Sequence, residues 1–386
     1  MDKDKINEVL TRGVEEVINR DSLERKLKSG KKLRVKLGID PTSPNIHIGR
    51  SIPLLKLKDF QDLGHKVVLI IGDFTGIIGD TSDKESERPM LSEKDVKQNM
   101  KTYIQQAGKI LDIKKCEISY NSKWLKKLGF MEIAKMANLF GLHEFAAREV
   151  IAKRLEAGKR VSYLEMMYPL FQGYDSVAVK ADVELGGTDQ RFNLLTGREL
   201  QRYYKQEPQD IILNPLIEGL DGRKMSSSWG NTINLLDSAH DMFGKVMSLK
   251  DEFIIKYFTL VTRVSLEEIE EIKKLNPRDQ KARLANEIVK MYHGEKSANM
   301  AEEEFNKTFR DKNPDFKKFK MNRPEVPILE LLEDTGLASS KSEAKRLILQ
   351  GGVKINGEVQ KDWQKIVKTT TGTKIQVGPR KFLELI

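Results

Sequence analysis

The chain has 386 residues, 39% hydrophobic and 32% charged, and 67 Lys and Arg against 57 Asp and Glu give it a net charge of +10. That length exceeds one compact core and points to two or three domains; the mixed-sign surface excludes a disordered basic tail, while the positive excess suits a polyanionic partner. A single cysteine, Cys116, excludes a disulfide framework and points to a reducing compartment, and with no CxxC and no histidine cluster a structural zinc site is not expected.

In chain order, residues 1–20 read as an amphipathic helix, apolar at Ile6, Val9, Leu10, Val14 and Val17, without the apolar run of a signal peptide. Arg34–Ile39 reads as a strand, 47–63 as a helix, and Lys66–Ile71 as a buried parallel strand. The apolar run inside that strand is the longest in the chain and far too short for a bilayer, so no membrane association is expected. Residues 92–110 read as a helix capped by Ser92, and Glu117–Tyr120 as a third strand. Residues 130–158 and Tyr163–Val179 are helical, and short strands at 182–185 and 210–213 flank a helix at 188–204. This alternation implies an open α/β sheet with right-handed crossovers. Ligands then bind beyond the carboxyl ends of the strands, here at loops 40–45, 72–80 and 186–187.

From 238 to about 312 the pattern is helical only, clearest at 265–275 and Pro277–His293, with Pro277 suited to a first turn. Residues 306–323 carry Lys307, Arg310, Lys312, Lys317, Lys318, Lys320 and Arg323 against Asp311 and Asp315, punctuated by Pro314 and followed by Pro324 and Pro327. They read as a basic linker or as a solvated charge run. In the tail, 328–335 and 342–350 are short helices, the second capped by Ser342, before a hairpin with Asn356-Gly357 in a type I′ turn. Lys341, Lys345, Arg346, Lys354 and Lys361 lie on or beside these elements. The unit suits RNA binding by shape and phosphate contact; a small packing domain with ordinary surface lysines is the plainer reading.

Two motifs carry chemistry. Asp40-Pro41-Thr42-Ser43-Pro44-Asn45-Ile46-His47-Ile48-Gly49-Arg50 leaves a strand and enters a helix, whose N-terminal N–H groups and dipole favour phosphate. Thr42, His47 and Arg50 add donors, and Gly49 admits a base or ribose close to the backbone. About 175 residues later, Lys224-Met225-Ser226-Ser227-Ser228 follows Asp221-Gly222-Arg223 and predicts a mobile loop that clamps a polyphosphate. Alone, either motif reads as loop or core; their pairing in this order is specific. Further on the same chain, Tyr168, Gln172 and Asp175 fall on one helix face.

With these residues the chain resembles the class I aminoacyl-tRNA synthetases, whose signatures are HIGH and KMSKS, and within them the bacterial-type tyrosyl-tRNA synthetases with an S4-like tail. The resemblance runs through the 72–80 segment GDFTGIIGD, Tyr168-x-x-x-Gln172-Gly173-Tyr174-Asp175, and the turn Gly186-Gly187-Thr188-Asp189-Gln190. It implies a Rossmann-like α/β catalytic domain with a helical insertion (1–220), a KMSSS loop with an all-helical domain on the anticodon side (221–320), and an α+β S4-like RNA-binding domain (326–386). It implies catalytic roles for Thr42, His47, Arg50 and Lys224. ATP would meet Asp40, His47, Gly49, Gly187, Asp189, Lys224, Met225 and Ser227. Tyrosine would meet Lys36, Gly38, Asp40, Thr75, Asp80, Tyr168, Gln172, Asp175 and Gln190. Asp80, Tyr168 and Gln172 would take the substrate ammonium and Asp175 the phenol OH, whose absence from phenylalanine would be rejected.

Two positions depart from the family pattern. Lys36 stands where a phenol-contacting tyrosine is common; Arg50 and Ser227 replace the last His of HIGH and the second Lys of KMSKS. The implied reaction is attack of the tyrosine carboxylate on the α-phosphorus of ATP, then transfer to tRNA(Tyr). ATP is a substrate accompanied by Mg²⁺, with no tightly bound cofactor and no protein metal site. A bacterial cytoplasm and a homodimer are expected, with 130–155 as the interface unless it is buried within the monomer. A tryptophanyl enzyme is the nearest alternative, and an RNA-binding protein that lost catalysis the next. A nicotinamide-binding Rossmann protein is excluded because no GxGxxG follows a strand.

Overall fold

The computed structural model describes residues 3–80, 90–309, 316–378 and 381–386. Six strands form the main sheet: β1 (Glu16–Ile18), β2 (Arg34–Ile39), β3 (Lys66–Ile71), β4 (Glu117–Tyr120), β5 (Val183–Gly187) and β6 (Asp210–Asn214). Their order is β1-β6-β5-β2-β3-β4, all parallel except β1, which runs antiparallel at one edge. The chain builds outward from β2 to β4, then returns to add β5 and β6 on the other side. The switch point therefore falls between β2 and β5, where such sheets open a crevice at the carboxyl ends. The central strands are apolar because helices cover both faces; Val67, Val68, Leu69 and Ile70 are wholly buried.

Caps decide where the helices begin. The helix Pro277–His293 has proline in its first turn, as the sequence predicts, and Asn276 as its N-cap. The helix Tyr163–Val179 opens with a reciprocal capping box between Ser162 and Glu165. Other expectations need correction. The first helix stops at Thr11, Gly13 takes a positive φ, and Glu16–Ile18 becomes the edge strand opposite Leu213–Ile211. Residues 92–110 hold two helices, Glu93–Met100 and Tyr103–Ala107. Residues 130–158 hold three, Phe130–Ala137, Leu142–Ala146 and Glu149–Glu156, with extended residues Gly129 and Gly141 capping the first two. Gly186 and Gly187 end β5, so the turn begins at Thr188. Ser340, rather than Ser342, caps Lys341–Leu349.

A continuous apolar cluster joins the sheet and its helices to the helical segment that follows, from Ile6 to Ala301. The tail has a separate cluster around Val326, Leu331, Ile348, Val353, Ile375 and Leu383. There β7 (Lys317–Phe319), β9 (Val353–Ile355), β10 (Glu358–Val359), β12 (Lys374–Val377) and β13 (Lys381–Leu385) form one sheet, and β8 (Glu325–Pro327) pairs with β11 (Ile366–Lys368). Asn356 and Gly357 both take positive φ in the expected hairpin turn. Part of the expected basic linker is therefore a strand, since β7 pairs in parallel with β13; residues 310–315 lie outside the described residues. Among the described residues no helix is long and apolar enough to cross a membrane.

Candidate active site

The first signature enters the crevice directly from β2. The chain turns after Ile39 into the helix Ile48–Asp62, with His47 as its N-cap. The His47 ring is buried, and its Nδ1 accepts the Arg50 N–H at 3.3 Å. A methyl group on Gly49 would meet that nitrogen at 3.0 Å, so glycine lets the imidazole lie against the backbone. The Arg50 guanidinium folds back, donating to Thr42 Oγ1 at 3.1 Å and to the Asp40 carbonyl at 3.4 Å. Thr42, His47 and Arg50 thus converge on one helix N-terminus.

The second signature reaches the same place. Lys224 Nζ lies 2.9 Å from Asp189 Oδ2, and Ser227 Oγ lies 3.4 Å from Ser43 Oγ. The KMSSS loop therefore touches both the loop after β2 and the turn after β5. Asn231 braces it: Oδ1 accepts from the Ser226 N–H at 2.8 Å, and Nδ2 donates to the Lys224 carbonyl at 3.1 Å. Met225 is buried in the main core, which anchors the loop.

A polar network covers the sheet between these loops. Lys36, Gly38 and Asp40 alternate onto one face of β2 and its extension. The helix Tyr163–Val179 lies over them, with Tyr168 bonded to Asp40 at one end and Gln172 and Ser176 bonded to Lys36 at the other. Gly38 between them is exposed, and a Cβ added there would meet nothing within 4 Å. Beside this opening, Asp40 accepts from Thr75 Oγ1 at 2.7 Å and from Tyr168 OH at 2.8 Å. Asn121 Nδ2 donates to Thr75 Oγ1 at 2.8 Å and to Asp175 Oδ2 at 3.2 Å, and Trp124 Nε1 donates to Asp175 Oδ1 at 2.8 Å. A second chain runs from Asp80 to Gln190 Nε2 at 2.6 Å, with Asn193 Nδ2 bridging Gln190 Oε1 and Gln172 Oε1 at 3.0 and 3.1 Å. Arg148 approaches Asp80 at 3.9 Å and lies over the Phe192 ring.

Burial dominates the electrostatics. It pushes the Asp40 carboxyl up to about 6, against the stabilising donors Thr75 and Tyr168. It pushes Asp175 up to about 7, opposed by the Lys36 charge and by the Trp124 and Asn121 donors. Burial, then the Asp40 charge, holds the Tyr168 phenol well above its ordinary value, so it stays a donor. Two carboxyls that titrate near neutrality beside an opening mark a site built for chemistry or binding.

The structure thus gathers Asp40, Thr75, Tyr168 and Asp175 into one network, Asp80, Gln172 and Gln190 into a second, and Thr42, His47, Arg50, Lys224, Asp189 and Ser227 at the loops. Lys36 takes part from below, with its ammonium bound to Glu184 and Ser176. Asn121, Trp124, Asn193, Arg148 and Glu184 were not foreseen. Asn121 follows β4 at its carboxyl end, and Asn193 stands one turn after Gln190, so position alone could have flagged both. No pattern in the sequence marks Arg148.

The family of tRNA synthetases class I (W and Y) matches residues 28–310, and the S4 domain matches 326–371. A tyrosine–tRNA ligase of Thermotoga maritima is 47% identical, over 98% of this chain and 96% of that one. The chain belongs to the tyrosyl-tRNA synthetase family. It is also 46% identical to the tyrosine–tRNA ligase of Moorella thermoacetica, over 98% and 94% of the two chains. The fold is that of this synthetase family. A C-terminally truncated mitochondrial tyrosyl-tRNA synthetase of Aspergillus nidulans superposes with TM-score 0.67 at 20% identity, covering 80% of this chain and 95% of that one. A tyrosyl-tRNA synthetase of Archaeoglobus fulgidus, complexed with L-tyrosine, gives 0.63 at 22%, covering 78% and 99%.

Proposed function

We propose that the chain activates L-tyrosine with ATP, forming tyrosyl-adenylate and pyrophosphate, and then transfers the tyrosyl group to the 3′ end of tRNA(Tyr). The observation that carries the site assignment is the open space over Gly38, bordered by the two acceptor networks. That space would take the tyrosine ring. Its phenol OH donates to Asp175, and its ammonium is taken by Asp80, Tyr168 and Gln172, with Thr75 and Gln190 holding those acceptors in place. ATP lies across the switch point, its ribose at Gly187 and Asp189 and its phosphates at Thr42, His47, Arg50 and Lys224. Gly49 admits the adenosine, and Met225 and Ser227 hold the loop.

The tyrosine carboxylate attacks the α-phosphorus and pyrophosphate leaves, so no covalent enzyme nucleophile is needed. Catalysis comes from positioning and from cationic donors that meet the developing phosphate charge. Among the described residues no three His, Cys, Asp or Glu side chains cluster to hold a metal. A magnesium ion would accompany the nucleotide, held on its phosphate oxygens. No tightly bound cofactor enters this scheme. The bacterial relatives and the lone cysteine support a cytoplasmic setting.

Segment 130–155 supports a homodimer. Burial within the monomer accounts for Met136, Phe145 and Ile151, yet Phe130 is 81% exposed and Leu142 70% exposed, with Tyr163 beyond them at 87%. The test of the activity is amino-acid-dependent exchange of labelled pyrophosphate into ATP. Exchange with tyrosine alone is expected; exchange with tryptophan in its place, or none with any amino acid, would overturn the reading.

A further inference from the structure

Beneath the proposed phenol site lies a buried ion pair that the reaction itself does not use. β2 and β5 are adjacent parallel strands, with Lys36 in register with Glu184. Side chains in register on neighbouring strands share a face. Lys36 is 0% exposed and Glu184 1%, and their Nζ and Oε1 atoms stand 2.8 Å apart. Lys36 Nζ also donates to Ser176 Oγ at 2.7 Å and to the Gln172 carbonyl at 3.2 Å, so its three protons meet three acceptors. Glu184 Oε2 accepts from Ser176 Oγ at 3.0 Å and from Gln209 Nε2.

Such a pair is a poor device for stability alone, because well-packed apolar residues often hold a core at least as well. Its position supplies another role. Both Lys36 contacts on the overlying helix fall in the turn that carries Gln172 at one end and Asp175 near the other. Asp175 is faced by Lys36 from β2 and by Glu184 from β5, and by the neutral donors Asn121 and Trp124. Its own helix contributes Tyr168, held neutral, and Asp40 is linked to it through Thr75 and Asn121. Among these, Lys36 is the strongest influence opposing burial, and Glu184 acts weakly the other way. A buried field of this kind is little screened by salt.

We propose that Lys36 is a positioning residue for phenol recognition: it clamps the Gln172–Ser176 turn and supplies the positive charge that faces Asp175, with Glu184 as its balancing counter-charge. The proposal rests on the reading of Asp175 as acceptor of the phenol OH. A protonated Asp175 would spend one oxygen on its own proton and lose the charge that makes it a strong acceptor, so its hold on the phenol OH would weaken. The lysine would thus do from below what a phenol-contacting residue does from within the pocket.

The test is the pH profile of kcat/KM for tyrosine in pyrophosphate exchange. In Lys36→Met the acid limb moves to higher pH, so activity below the limb falls about tenfold for each unit moved and recovers at alkaline pH. The loss lies in KM for tyrosine, and KM for ATP is unchanged. Glu184→Gln moves the limb the opposite way, to lower pH; Gln209 accommodates it by turning its unpartnered Oε1 toward the new amide. If Lys36→Met does not fold, Glu184→Gln and Lys36→Arg still decide, the latter keeping the parent limb. Asp175→Asn is measured alongside. If it keeps tyrosine over phenylalanine, the phenol reading itself fails. If it loses that preference while the Lys36 and Glu184 variants keep the parent limb, the role of Lys36 fails and that of Asp175 stands.

Discussion

Two glycines on the floor of the site show how single atoms set its limits. A Cβ on Gly72 would fall 1.9 Å from Asp40 Oδ1 and 2.4 Å from Thr75 Oγ1, so even alanine must displace the Thr75–Asp40 bond. Gly72→Ala is therefore expected to fold yet lose about a hundredfold in pyrophosphate exchange, the effect of misplacing a substrate contact by an ångström. Activity within twofold of the parent would refute that. Gly38→Ala meets nothing within 4 Å and should leave the melting temperature unchanged. Its methyl group enters the tyrosine space, so KM for tyrosine should rise while KM for ATP holds. Asp175 also has a measurable signature. Its carboxyl moves from 3.8 to about 7 on folding, so the native state holds a proton that the unfolded state has released. Stability from this group is full below about pH 4 and is lost as pH rises to about 7. Urea denaturation across that window should show the parent losing about 1.4 kcal/mol per pH unit relative to Asp175→Asn. A flat difference would mean that Asp175 is not held in a low-dielectric site. Residues tied to a motif, such as His47 and Lys224, were legible in sequence. Trp124 and Glu184 were not, because their partners lie on other strands and helices.

At the scale of elements, a buried pair ties the short helix Glu149–Glu156 to the helix Tyr163–Val179. Arg154 of the helix Glu149–Glu156 lies 2.6 Å from Glu165, which also accepts the Ser162 N–H at the start of the helix Tyr163–Val179. Arg154 is 1% exposed. Arg154→Met removes the positive charge that faces buried Glu165, and should cost about 3–5 kcal/mol in chemical denaturation. Arg154→Met/Glu165→Leu should recover much of that loss; if the double variant is no better than the single, the pair is not the cause. The same region shows where periodicity misleads. Residues 130–158 carry helical spacing throughout, yet Gly129 and Gly141 adopt extended geometry and start new helices. Val14 and Val17 also fit a helix, but Gly13 ends it and hydrogen bonding to β6 takes Glu16–Ile18 as a strand. Where a first-turn proline and an apolar face agree, as at Pro277–His293, the observed helix has the expected bounds.

Among the described residues the tail has an apolar cluster separate from the main one, and this division predicts separable functions. The tail folds around its own apolar cluster, with β7 as part of its sheet. A chain cut after residue 309 should keep tyrosine-dependent pyrophosphate exchange and lose most tRNA charging. Equal loss of both would refute separate roles. In the full chain, charging should fall steeply with salt while exchange changes little, because phosphate contacts release counterions. The exposed apolar surface at Phe130, Met131 and Leu142 makes a further prediction for the proposed homodimer. Leu142→Asp should shift sedimentation from dimer to monomer; an unchanged mass would place the interface elsewhere.

Sequence alone determined the α/β class, the strands β2, β3 and β4, the two signature loops and the family, because each rests on local chemistry. Apolar runs, turn residues and motif spacing are written along the chain. Only the tertiary structure decided what each polar residue meets. It set Lys36 against Glu184, closed Lys224 on Asp189, and opened the space over Gly38. It also gave part of the basic segment, first read as a linker, to the tail as a strand. These outcomes depend on strand register and on which helix covers which strand, and both are set by burial of the whole core at once. The positive charge is divided accordingly: Arg50 and Lys224 at the crevice, and the lysines of β7 and of Lys341–Leu349 in the separately cored tail.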